Sequence, residues 1–223
     1  MTSGFKKFII LLIVAVVITA LMLARQLSIF NKVSVEKSER PLIEPTSVMI
    51  PLDINDPLLG NQGAPMTIVE FVDINSTESR QAHQKLAKFI EEHPTEIRLI
   101  FKDYPDKGFF SSSNYRPHYA AFCAQKQDSK KFWPYLNELM KYRKGFNEEK
   151  TLLAVAEVVK LNTTTLKICL DSSEAKARIE SAVSLAEALG LKKAPEIFVN
   201  NRKVNYLTEV DIDAFLTELI KKY

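Results

Sequence analysis

The hydrophobic pattern is most decisive at the amino terminus. Phe8 to Ala24 is an unbroken apolar run of 17 residues preceded by Lys6 and Lys7, at the short end of the roughly 17–25 residues that cross a hydrocarbon core. Residues 1–7 therefore read as a cytoplasmic leader and 8–24 as a transmembrane signal-anchor. A cleaved signal peptide is the competing reading. Its apolar region is usually ~7–15 residues and ends at an A-x-A-like site, whereas a cut after Ala24 puts Met22 where a small residue belongs. The two lysines favour a cytoplasmic start, although Arg25 and Lys32 beyond the run weaken the asymmetry. The expected placement is a single pass of the inner (cytoplasmic) membrane, with the rest of the chain on the periplasmic or extracytoplasmic side.

Residues 25–55 mix charges with Pro41, Pro45 and Pro51 and sustain no helical period, which predicts a stalk with one short strand near Ser47–Leu52. A folded domain is expected over 56–223. Met66–Val72 is apolar on both faces, as in a strand buried within a sheet. Asn75 and Glu78 then offer a capping box, followed by an apolar stripe at Ala82, Leu86, Phe89 and Ile90 that ends near Pro94. Glu96–Asp103 alternates into a second strand, parallel to the first.

From about 114 to 190 the pattern turns helical. Stripes fall on Tyr119, Phe122 and Cys123; on Phe132, Leu136, Leu139 and Met140; on Leu152–Leu161; and on Leu166, Cys169 and Leu170. A longer helix carries Ile179, Ala182, Val183, Ala186 and Leu189 and stops at Gly190. Strand signals return at Glu196–Val199 and Lys203–Tyr206 around Asn200-Asn201, and Thr208–Lys222 reads as a closing amphipathic helix. The predicted order is β-α-β, a helical insert, then β-β-α.

Composition narrows the functional classes. At 46% hydrophobic and 26% charged, the chain suits a folded domain with appendages. Of 30 basic and 27 acidic residues, three basic ones (Lys6, Lys7, Arg25) precede the body, which is left balanced. A nucleic-acid-binding face is not expected. Two cysteines and three histidines, none at C-x-x-C or H-x-x-x-H spacing, give no metal site.

The segments at Gly60–Ile74 (GNQGAPMTIVEFVDI), Phe132–Met140 (FWPYLNELM), Cys169–Ser181 (CLDSSEAKARIES) and Ala188–Arg202 (ALGLKKAPEIFVNNR) resemble DsbA-like thiol-disulfide oxidoreductases of the bacterial cell envelope over roughly Asp56–Tyr223. The resemblance implies an α/β thioredoxin-like fold carrying an inserted helical domain. In that family the first strand leads into Cys-x-x-Cys at the start of a helix, whose positive end favours the first thiolate. Here the matching stretch is Ser76-Thr77-Glu78-Ser79, so both cysteines are replaced. A serine hydroxyl stays protonated near neutral pH and forms no S–S bond, which closes both halves of thiol–disulfide exchange. Ala194-Pro195 matches the family's cis peptide bond, beside which backbone groups pair with an extended substrate; a plain turn is the bland alternative.

These observations set the functional expectation. The chain reads as an anchored, exported binding module for an extended polypeptide or envelope partner, chaperone-like, redox-inactive and needing no cofactor. Enzymatic alternatives are a glutathione-dependent transferase or isomerase using Ser76, as in kappa-class glutathione transferases and related isomerases that resemble this fold, or an oxidoreductase working through Cys123 and Cys169. A structural subunit of an envelope complex is a third possibility. Ser76 and Ser79 also have a plain role as helix caps, and a Ser-His-Asp hydrolase through His83 lacks a nucleophile elbow. Some DsbA-like proteins carry a structural disulfide in the insert, which the resemblance extends to Cys123 and Cys169; two buried thiols are the alternative. His93 and His118, each beside a proline, read as solvated or capping residues. Trp133, with Phe132 and Tyr135, reads as insert core rather than a ligand cage, and Ser111–Ser113 as a polar loop on the groove rim.

Overall fold

The computed structural model describes residues 3–36, 43–106, 115–142, 147–205 and 212–221. The chain divides into two units, Met1–Pro41 and Leu42–Tyr223. The first is a helix, α1 (Ser3–Glu36), of 34 residues and so ~51 Å long. Lys7–Ser28 within it is long and apolar enough to cross a membrane. Two hydroxyls within it bond back to the helix, Thr19 Oγ1 donating to the carbonyls of Ala15 and Val16 and Ser28 Oγ to that of Arg25. The helix runs 12 residues past Ala24, into the predicted stalk, because no proline or glycine interrupts 25–36.

The second unit is built on a six-stranded sheet of order β1-β6-β5-β3-β4-β2. Its strands are β1 (Ile43–Ser47), β2 (Leu58–Gly60), β3 (Met66–Val72), β4 (Ile97–Asp103), β5 (Glu196–Val199) and β6 (Arg202–Val204). β3 and β4 pair in parallel across α2 (Thr77–Glu92), as the pattern predicted, and every other pair is antiparallel. The early strand lies at Ile43–Ser47 rather than Ser47–Leu52, where it pairs with β6, so the sheet recruits residues read as stalk. β2 gave no sequence signal. Its Gly60 has φ +89°, and a Cβ there would sit 2.4 Å from the Ile97 carbonyl oxygen, so only glycine fits. Asn200 and Asn201 both take positive φ and turn β5 into β6. Tyr206 lies outside the described residues.

Between β4 and β5 stand α3 (Arg116–Gln127), a 3₁₀ turn (Ser129–Lys131), α4 (Phe132–Leu139), α5 (Glu149–Val158), α6 (Thr163–Leu170) and α7 (Ser173–Ala188); α8 (Ile212–Ile220) follows. The predicted stripes meet in one core around Tyr119, Cys123, Leu136, Leu152, Leu166 and Ile179, which joins the sheet through Val72, Ile74 and Phe101. α2 and α8 cover one face of the sheet over Met66, Ile68 and Leu99, while Ala186 of α7 and Leu191 pack on the other over Val69, Phe71 and Phe198. α7 ends in a glycine stop, with Leu191 N donating to the Ala186 carbonyl and Gly190 at φ +74°. Cys123 of α3 and Cys169 of α6 form a disulfide closing 46 residues.

Candidate functional site

The start of α2 and the loop before β5 face one another because their strands, β3 and β5, are neighbours in register, Phe71 opposite Glu196. Between them lies a cavity of about 580 Å³ lined by Asp73, Asn75, Ser76, Glu78, Tyr104 and Ala194, among others. The Ala194–Pro195 bond is cis. Tyr104 braces the two walls, its N–H donating to the Val72 carbonyl and its hydroxyl to that of Leu191.

Ser76, not Asn75, caps α2. The Asp73 carboxylate binds Asn75 through both its backbone N–H (2.9 Å) and its side-chain amide (3.2 Å). That leaves Ser76 in the extended conformation a cap requires, and its Oγ accepts the Ser79 N–H at 3.1 Å. The same hydroxyl donates to Glu78 Oε2 at 2.9 Å. Ser79 is fully buried and its Oγ accepts the Asp73 N–H at 3.3 Å. Thr77 is turned elsewhere, its hydroxyl accepting from Arg80 beside a separate cavity. Of the expected site residues, Ser76, Glu78 and Ala194 therefore meet in one groove. Cys123 and Cys169 belong to the insert, beside an apolar pocket of about 310 Å³ next to the exposed Ile168.

Behind the groove lie charges that sequence reasoning passed over. His118, expected in a solvated or capping position, is fully buried in α3. Its Nδ1 lies 2.7 Å from Asp103 Oδ1, while its Nε2 accepts the Ile74 N–H at 3.1 Å and stands 3.5 Å from Asp73 Oδ1. Burial disfavours the charged ring, but hydrogen bonds to Asp103 and Asp73 outweigh it and raise the His118 pKa. Asp73 is also buried, which opposes its charge, yet the His118 ring and the amides of Asn75 and Asp106 hold its pKa below the usual range. Glu78, at the surface, is lowered by its own amide and the Ser76 hydroxyl.

A second pair sits deeper. Glu70 in mid-β3 meets His83 of α2 at 2.6 Å, both buried, and the His83 ring stacks on Trp133 at 5.7 Å. Burial lowers the His83 pKa, but the Glu70 carboxylate overrides that and raises it. His83 is thus engaged with a carboxylate and an indole, and Trp133 further anchors the insert by donating from Nε1 to the Leu58 carbonyl. Elsewhere Asp56, buried, joins Lys102 to Arg178. The signal for these pairs was present in part, since an acid within an apolar strand demands a partner. The partners themselves are distant in sequence.

This geometry agrees with the relationships of the chain to known proteins. A family model described as thioredoxin (Thioredoxin_4) matches residues 53–218. The chain belongs to this thioredoxin family. Disulfide bond formation protein D of Bacillus subtilis (strain 168) is 24% identical over 170 residues, 70% of this chain and 72% of that protein. Among solved structures, oxidised BdbD from Bacillus subtilis superposes with a TM-score of 0.66 at 20% identity, covering 79% of this chain and 97% of that one. The thiol-disulfide exchange protein alpha-DsbA2 from Wolbachia pipientis gives 0.65 at 16% identity, covering 76% and 88%. The fold is DsbA-like, as the sequence segments implied.

Proposed function

We propose that this DsbA-like protein is held at the extracytoplasmic side of a membrane by α1 and binds an extended polypeptide in the groove between the start of α2 and the Ala194–Pro195 loop, without exchanging disulfides. The observation that carries the reading is the distribution of sulfur. Both cysteines of the chain are joined to each other in the insert, whereas the groove presents the serine Ser76, with the second serine, Ser79, buried beneath it. Exchange requires a thiolate to attack and a second thiol to resolve. Ala194, in the loop before β5, lines the groove, and backbone there can pair with an extended segment without any sulfur. α1 supplies a segment of membrane-spanning length. The glutathione-dependent alternative is less well supported, because the Ser76 hydroxyl already donates to Glu78 and accepts from Ser79.

The test is paired. A photo-crosslinking residue at position 76 is expected to capture unfolded polypeptide in cells, while the purified chain leaves insulin unreduced and passes through glutathione-agarose. Reduction of insulin at the rate of a true dithiol enzyme would overturn the reading.

A further inference from the structure

We propose that His118 is a positioning residue through which acidity sets the grip of the groove. The inference rests on the groove being the polypeptide-binding surface. It starts from geometry: Nε2 of His118 accepts the Ile74 N–H, while Nδ1 faces Asp103. Two donors cannot point at one another, so this arrangement belongs to the neutral ring with its proton on Nδ1. A second proton can go only to Nε2. It evicts the Ile74 amide and turns the new N–H toward Asp73 Oδ1, 3.5 Å away. That oxygen already receives both donors of Asn75, which must now share it or leave.

The exchange reaches the groove directly. Ile74 and Asn75 lead into Ser76, the cap of α2, and Asp73, Asn75 and Ser76 line the cavity. The other oxygen of Asp73 receives the Asp106 N–H, so a shift of this carboxylate also moves a second stretch of the lining. The titratable groups that face the ring are Asp103 at the end of β4 and Asp73 after β3, and the Asp73 charge is also felt by Arg80 of α2, which itself donates to the Tyr142 carbonyl and the Thr77 hydroxyl. The neutral ring therefore fixes the wall as seen here, and the charged ring supports a different one.

The experiment uses the full chain in lipid nanodiscs. The probe is a terminally blocked, dye-labelled peptide of Leu, Ser and Asn, which has no group titrating in this range, and binding is read by anisotropy between about pH 5 and pH 9.5, a window carried upward because, against burial, the two carboxylates raise the His118 pKa. Affinity is expected to fall at least about fivefold toward the acid end. His118→Gln, whose amide takes no second proton, is expected to bind with a flat profile, and His118→Asn replaces it if that variant does not fold. In parallel, NMR should show a ring protonated on Nδ1 alone at the alkaline end and an Ile74 amide signal that moves with ring titration. Flat binding by the wild type overturns the inference and leaves the groove standing as a binding surface. No binding at any pH removes the groove reading and the inference with it. A pH effect that persists in His118→Gln, or a ring that titrates without moving Ile74, also overturns it.

Discussion

Reducing the Cys123–Cys169 bridge should cost the domain a large share of its stability. The bridge closes 46 residues between α3 and α6. On the loop-entropy relation this removes about 13 cal/mol/K from the unfolded chain, or about 4 kcal/mol at room temperature. Domains of this kind are stable by only about 5–15 kcal/mol, and at this size each kcal/mol moves the melting temperature by roughly 2–4 °C, so a fall of about 8–16 °C is expected. The assay is denaturant unfolding of the full chain in detergent, with and without a phosphine reductant, beside Cys123→Ala/Cys169→Ala, which should not respond to reductant. Cys123 is fully buried and Cys169 half-buried, so reduction is expected to be slow until the protein unfolds. Oxidised and reduced forms agreeing within about 1 kcal/mol would show that the unfolded chain gains little freedom when the link is cut, and the entropy argument would fail.

Other expectations concern the groove and the buried pair. Ser76→Ala should lower stability by about 1 kcal/mol through loss of the α2 cap, read from the urea midpoint, and the Glu78 carboxyl should titrate higher without its hydroxyl donor. Ser76→Cys with Ser79→Cys should gain dithiol oxidation, since position 76 sits at the positive end of α2 and position 79 lies buried beneath it; no gain in an oxidation assay would count against a redox-ready geometry. His83→Phe should keep the stack on Trp133 but strand the Glu70 carboxylate, costing roughly 3–5 kcal/mol, with much of that recovered by adding Glu70→Gln. The His83 pKa is raised on folding, so its contribution is fully present below the unfolded value near 6.5 and is lost as pH climbs through the folded value. Unfolding measured upward from about pH 6.5 should show the wild type losing its margin over the double variant.

Much of this architecture was written in local pattern. The apolar run Met66–Val72, the stripe of α2 and the glycine after α7 each encode an element through periodicity or backbone freedom, and each is found within a residue or two of its expected place. β1, expected a few residues further along, and β2, which had no signal, were hard to place for the opposite reason. They are short, and their pairing with β6 and β4 depends on partners far along the chain. The cap of α2 shifted from Asn75 to Ser76 because Asp73 claims the asparagine first, a competition that spacing alone does not reveal. His118 was misjudged by its neighbour Pro117. A proline at the first turn of α3 says where a helix starts and nothing of which face turns inward, and the carboxylates that hold the ring come from the end of β4 and the turn after β3.

The recruitment of β1 has a practical corollary for anyone shortening the molecule. A soluble fragment begun at Asp56 would leave the far side of β6 as a bare hydrogen-bonding margin, inviting other copies to add to it. It would also delete the Pro51 carbonyl that Lys102 donates to, and set Asp56, which holds Lys102 and Arg178, at a frayed end. Precipitation of such a fragment would report the position of the cut rather than any intrinsic weakness, and the shortest piece that keeps the sheet whole starts at or before Ile43.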